Sequence, residues 1–212
     1  MNLMIWITVL VAGIFVSAEA TSMSAPQFKT LTSPTLIGGA QFPGRFSLAF
    51  EWTDRSGAFL LVVSNKGDST TYDGTEPDSI WVTCFRGNGG RQSKVWGMMD
   101  FSIQLESISF IKDWFRITDL DQDGIFEPSF LYVFYHDGLD PQPAKMMLYH
   151  NGKKYAIRGE FPMDGDWTTG YVKKPDPSLR KLPEIYRKFM HRRWDEFMTK
   201  EREKDEKSTL LK

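Results

Sequence analysis

The sequence predicts a mainly β protein, built as an antiparallel meander, a sandwich or part of a propeller-like sheet, with one amphipathic C-terminal α-helix. Short runs rich in Val, Ile, Phe, Tyr and Trp follow one another closely, with Gly, Asn and Asp between them. No helical pattern separates these runs, which argues against a parallel α/β sheet. Apolar residues recur at steps of three and four only near the C-terminus.

In chain order, residues 21–44 are rich in Ser, Thr, Pro and Gly without periodicity and read as an extended or partly disordered lead-in. Residues 45–53 and 58–64 flank the turn sequence Asp54-Arg55-Ser56-Gly57, which predicts a hairpin. Residues 79–86 and 94–100 flank Gly87-Asn88-Gly89-Gly90, a second hairpin. Residues 106–111 and 114–117 are further short candidates. Residues 129–135 and 144–149 flank a loop with Gly and Pro, and 153–159 follows the turn Asn151-Gly152. Together these place a β domain at 45–172.

Residues 173–212 differ. Pro175 and Pro177 punctuate the chain, and Pro183 suits a helix start. Ile185, Tyr186, Phe189, Met190, Trp194, Phe197 and Met198 then mark one face of a helix over 182–206. Glu184–Lys188, Glu196–Lys200 and Glu203–Lys207 have the favourable order of i,i+4 pairs. From residue 173 onward the chain carries 13 Lys and Arg against 8 Asp and Glu, whereas residues 21–172 carry 13 against 18. The simplest consequence is a basic helical tail docked on an acidic body; a tail that seeks an anionic surface is the alternative.

Residues 1–20 read as a signal peptide. Residues 3–16 are almost wholly apolar, and Ala18-Glu19-Ala20 offers small residues for cleavage. The run is short of the roughly 20 residues a spanning helix needs, although an uncleaved anchor is the alternative. The mature chain is therefore expected to be exported, periplasmic or at the cell surface. At 212 residues, with 41% hydrophobic and 25% charged residues, the composition is that of a single folded domain, and a net charge of −1 gives no footing for nucleic acid. One cysteine, Cys84, allows no internal disulfide; it lies in an apolar run and reads as a buried, inert thiol.

The stretch with chemistry is Asp119-Leu120-Asp121-Gln122-Asp123-Gly124-Ile125-Phe126-Glu127. Carboxylates stand at loop positions 1, 3, 5 and 9, with Gly at position 6. Calcium takes 6–8 hard oxygen ligands, so Asp119, Asp121, Asp123, the backbone carbonyl of Ile125 and Glu127 are the expected ligands of one structural calcium ion. Ile125 is expected to anchor its side chain in the core. Two carboxylates about 4 Å apart repel by about 4 kcal/mol at an effective dielectric near 20, and a divalent cation reverses that sign. The loop is not an EF-hand: position 12 is Phe130 rather than Glu, and the flanks read as strands. An acidic solvated turn is the plain alternative.

Other signals carry less. His136, His150 and His191 show no close metal-ligand spacing, Asp164-Gly165-Asp166-Trp167 reads as a turn, and neither a phosphate-binding loop nor a Gly-x-Ser-x-Gly elbow occurs.

Residues 117–132 with the acidic loop, Ala144-Lys145-Met146-Met147-Leu148 and Lys153-Lys154-Tyr155-Ala156-Ile157-Arg158-Gly159 resemble a family of exported proteins from Flavobacterium-like bacteria named surface polysaccharide biosynthesis proteins. Their loop is an FG-GAP-like D-x-D-x-D-G calcium loop. Phe50-Glu51-Trp52 and a helix with Trp194 and Phe197 extend the likeness. The family's cysteines near the positions of Phe101 and His136 are absent here. The resemblance implies a role in making or displaying lipopolysaccharide; the leading expectation is a non-enzymatic accessory protein, with envelope polysaccharide or assembly proteins as partners. A secreted carbohydrate-binding or adhesion module, using Trp81, Trp96 and Trp167, is a second expectation. A metal-dependent hydrolase using Asp119 or Glu127 is a third.

Overall fold

The computed structural model describes residues 26–67, 77–88, 91–102, 106–136, 140–162, 167–168 and 170–210. The expected signal peptide lies outside the described residues, as do parts of the turns at 87–90 and 164–166. Two antiparallel sheets and a C-terminal helix make up the described chain.

The first sheet is a meander in the order β1 (Lys29–Leu31), β2 (Arg45–Asp54), β3 (Gly57–Gly67), β4 (Pro77–Asn88) and β5 (Arg91–Phe101). The β2–β3 turn forms where expected. The Asp54 carboxylate accepts from both the backbone N–H and the hydroxyl of Ser56 at 2.7 Å, and Gly57 supplies a φ of +142°.

The second sheet runs β11 (Val172–Pro175), β10 (Lys153–Phe161), β9 (Gln142–His150), β8 (Glu127–His136) and β6 (Glu106–Phe110). A short β7 (Arg116–Thr118) pairs with the other end of β8. Asn151 and Gly152 turn β9 into β10, with φ of +49° and +70° as the tight primed hairpin turn requires.

Alternation sorts the side chains into three cores. Between the sheets lie Phe50, Leu61, Val63 and Val82 from one side and Phe130, Tyr132, Phe134 and Tyr149 from the other. The odd-numbered partners on β8, Leu131 and Val133, face the opposite way and pack with Met146, Ile157, Tyr186 and Trp194 under the helix α1 (Glu184–Leu210). Apolar layers on both faces account for the unbroken run Phe130-Leu131-Tyr132-Val133-Phe134.

A third core covers the outer face of the first sheet, and it departs from expectation. The described part of the lead-in contributes β1 and sets Leu31 and Ile37 over Leu60 and Val62. Ser, Thr and Pro hide these two apolar anchors from a search for periodicity. Residues 114–117 likewise differ from a plain strand. A 3₁₀ turn at Lys112–Trp114 precedes β7. The turn delivers Trp114 edge-on to Phe197 of the helix, ring centroids 5.4 Å apart, while Phe115 stacks on Phe50 at 3.7 Å between the sheets. Residues 173–175, expected as linker, join Val172 in β11 and extend the second sheet beyond β10.

The helix buries Tyr186, Phe189, Met190, Trp194, Phe197 and Met198, as its period predicts. Ile185 is the exception, at 46% exposed. Of the three expected charge pairs Glu184–Lys188 forms, at 2.8 Å. Lys200 instead lies over the Trp114 ring, and Arg202 meets Glu206. Among the described residues no helix is long and apolar enough to cross a membrane.

Candidate metal centre

Residues 119–126 close the β7–β8 hairpin, whose last pair is Thr118 with Glu127. Left-handed backbone at Gln122 and Gly124, with φ of +60° and +78°, curls the loop back on itself. Asp119 Oδ2 accepts from the Gly124 N–H at 3.1 Å, and Asp123 Oδ1 accepts from the Ile125 N–H at 2.7 Å. The β2–β3 hairpin braces the loop from outside. The Arg55 N–H donates to the Gly124 carbonyl, Arg55 Nη1 to the Asp123 carbonyl, and the Phe126 N–H to Asp54 Oδ2, at 2.8, 3.0 and 3.1 Å.

This curl brings together ligand atoms of Asp119, Asp121 and Asp123, all within 4.8 Å of one another. Asp119 Oδ1 is buried with no hydrogen-bond partner, although a buried carboxylate oxygen ordinarily has one. Hard oxygen donors so grouped suit a divalent cation.

Glu127 stands in a second group. Ser129 pairs with Leu148 in the β8–β9 ladder, and two residues further along the same face that register sets Glu127 beside His150. Glu127 Oε1 lies 3.3 Å from His150 Nδ1, and Asp121 comes within 4.8 Å of both, so it is common to the two groups. Glu127 and His150 are 3% and 7% exposed. Burial pushes the Glu127 carboxyl up to about 8; the Tyr186 hydroxyl, next in size, opposes the rise, and the charges of Asp121, Asp123 and Asp119 add to it. Burial holds the His150 imidazole below its ordinary range. From the helix, the Tyr186 hydroxyl comes beside Glu127 and Asp121; burial first and then these carboxylates push its pKa up.

Ile125 does not anchor in the core. It is 39% exposed, and its neighbour Phe126 packs between the sheets instead. Strand alternation accounts for the exchange, since Phe126 precedes Glu127 and takes the opposite face. His150 and Tyr186, which join the carboxylates, carry no loop-like spacing. The register of two strands and the docking of the helix bring them there.

The three tryptophans expected to face a sugar are half-buried and engaged. Trp96 stacks on Tyr149 at 3.5 Å, Trp167 donates to Asp205 at 3.1 Å, and the ring of Trp81 sits close to Gly44. A cleft of about 240 Å³ does open at one end of the sandwich, between Trp52, Phe59, Trp96, Tyr149 and Phe126. Asp119, Asp121 and Asp123 are not among its lining residues. Cys84 is buried, and burial pushes its thiol far up, so it is no nucleophile.

Comparison of the chain with protein-family models, with curated proteins and with solved structures finds no match in any of the three. The fold and the carboxylate geometry therefore define its class: a two-sheet β protein, backed by a helix, with acidic residue clusters that could hold a metal ion.

Proposed function

We propose that this chain is an exported, non-enzymatic, calcium-binding accessory protein of the bacterial envelope, acting in the assembly or display of surface polysaccharide. One calcium ion is held by Asp119, Asp121, Asp123, the Ile125 carbonyl and Glu127. The observation that carries this reading is the convergence of the three aspartates within 4.8 Å, with an unpartnered buried oxygen on Asp119. Calcium tolerates the irregular geometry such a loop offers. Its role is mechanical: the ion cancels the repulsion among the carboxylates and fixes the β7–β8 hairpin against the β2–β3 turn that Arg55 already clamps. The envelope role follows from the sequence resemblance and the apolar N-terminal run.

Isothermal titration of the chelator-stripped mature chain with calcium tests the ion. One binding event that disappears in Asp121→Asn supports it, and no heat removes it. Deleting the gene tests the envelope role; unchanged surface polysaccharide counts against it.

The aromatic cleft favours a second reading, a carbohydrate-binding module. Five aromatic residues line it, of which Phe59, Trp96 and Phe126 are half-buried and keep some surface to meet a sugar ring. A glycan array without signal removes that reading and leaves the calcium proposal intact.

A further inference from the structure

Four polar groups from four separate elements meet at the end of the second sheet nearest the start of the helix: Asp121 from the loop, Glu127 from β8, His150 from β9 and Tyr186 from α1. Two of their atoms lack a hydrogen bond of full geometry. Glu127 Oε2 and the Tyr186 hydroxyl are buried, and although the hydroxyl lies beside Glu127 and Asp121 neither atom completes a well-formed bond; Tyr186 is 0% exposed. Leaving two such groups unpaired in one place is costly unless something else bonds them. The one contact that is made, Glu127 Oε1 to His150 Nδ1, measures 3.3 Å. Two ligands of a tetrahedral ion with bonds of about 2.0–2.1 Å lie about 3.3 Å apart, so the same spacing serves a shared proton or a shared metal.

We propose that Asp121, Glu127 and His150 form a second cation site, selective for a divalent transition-metal ion of the zinc type, with the Tyr186 hydroxyl facing the ion. An imidazole nitrogen among carboxylates suits zinc and its neighbours and is foreign to calcium. His150 can present its Nδ1 lone pair because Asn151 stands 3.1 Å from Nε2. Turning the Asn151 amide over places its oxygen where Nε2–H can donate, which fixes the tautomer a metal ligand needs. The proton held between Glu127 Oε1 and His150 Nδ1 is then carried by the carboxyl and leaves for solvent as the metal takes its place. The site shares Asp121 and Glu127 with the calcium site proposed above, and carboxylate bridges of this kind hold paired ions about 3.5–4 Å apart. It does not require calcium: His150 belongs to the transition-metal site alone, and Asp123 to the calcium site alone.

The test is a pair of calorimetric titrations on the chelator-stripped mature chain: zinc chloride in the presence of saturating calcium, and calcium alone. One zinc event is expected beyond the calcium event. His150→Gln is expected to weaken zinc by at least about 100-fold, because loss of even an outer partner costs about 10–100-fold, while calcium binding persists. Asp123→Asn is expected to weaken calcium and spare zinc. No zinc heat overturns the proposal. So does zinc binding that survives His150→Gln and is lost in Asp123→Asn, since zinc would then sit in the calcium loop. If His150→Gln fails to fold, cobalt(II) on the wild-type chain decides: a visible band of tetrahedral type with a paramagnetic shift of the His150 ring protons supports the site, and neither change overturns it. Loss of calcium binding with zinc binding intact would remove the calcium reading alone.

Discussion

Gly159 has no room for a single methyl group. A Cβ there would lie 1.9 Å from the Val172 carbonyl oxygen and 2.5 Å from the Trp194 ring. The first contact is rigid backbone, so relief requires β11 to separate from β10 or the helix to lift. Gly159→Ala is therefore expected to cost about 2–3 kcal/mol, at the upper end of overpacking substitutions, read as a lowered urea midpoint with unchanged m. Asp176 is the other single residue with a measurable signature. Its carboxylate accepts from the Ser178 N–H at 2.9 Å, capping the 3₁₀ turn Pro177–Lys181, and pairs with Arg158 at 2.9 Å. The Ser178 backbone bond first, then Arg158, hold its pKa down to about 2. A depressed carboxyl contributes stability above its unfolded pKa and loses it as pH falls through the folded value. Wild type should thus lose stability between about pH 4 and pH 2 relative to Asp176→Asn, and at neutral pH the loss of the cap should cost Asp176→Ala about 1 kcal/mol. Urea midpoints across pH check both.

At the scale of elements, the C-terminal helix is an integral layer. Trp194 is 0% exposed, and its indole N–H donates to Tyr171 at 3.2 Å. Arg193, buried in the same interface, donates to the Trp114 carbonyl at 2.5 Å and lies 4.7 Å from the centre of that ring. Burial lowers its pKa to about 10, and no ion pair forms with it among the described residues. Trp194→Ala should cost about 3–5 kcal/mol through lost burial and the cavity left behind, seen as a lower Tm with exposed apolar surface. The helix was legible in the chain because its apolar residues keep the 3.6 period, and the β2–β3 and β9–β10 hairpins because their turns are spelled in Asp54-Arg55-Ser56-Gly57 and Asn151-Gly152. β11 was not legible: Val172-Lys173-Lys174-Pro175 has no alternation, and pairing with β10 makes it a strand. The acidic loop was legible as a local string. Its meeting with His150 was not, because that depends on the β8–β9 register, and Tyr186 reads as an ordinary core position of an amphipathic helix. Ile125 and Phe126 exchanged roles because the loop joins β8 one residue out of step with the expected anchor.

On the scale of the whole molecule, the three layers share a seam at the loop. Phe126 enters the core between the sheets, Glu127 turns toward the helix, and Arg55 ties the loop to the first sheet. A cation there would act on all three layers at once, so its effect should be global stability rather than local order. The measurement that tests this most directly is scanning calorimetry of the mature chain stripped with chelator, then loaded with calcium to about 100 times its Kd. Binding to the folded state alone is worth about 2.7 kcal/mol at that ratio, which for a chain of this size raises Tm by about 5–10 °C. A rise of that order, reversed by chelator and absent in Asp121→Asn, is the expected result. A Tm that neither calcium nor chelator moves would contradict cation binding by this loop.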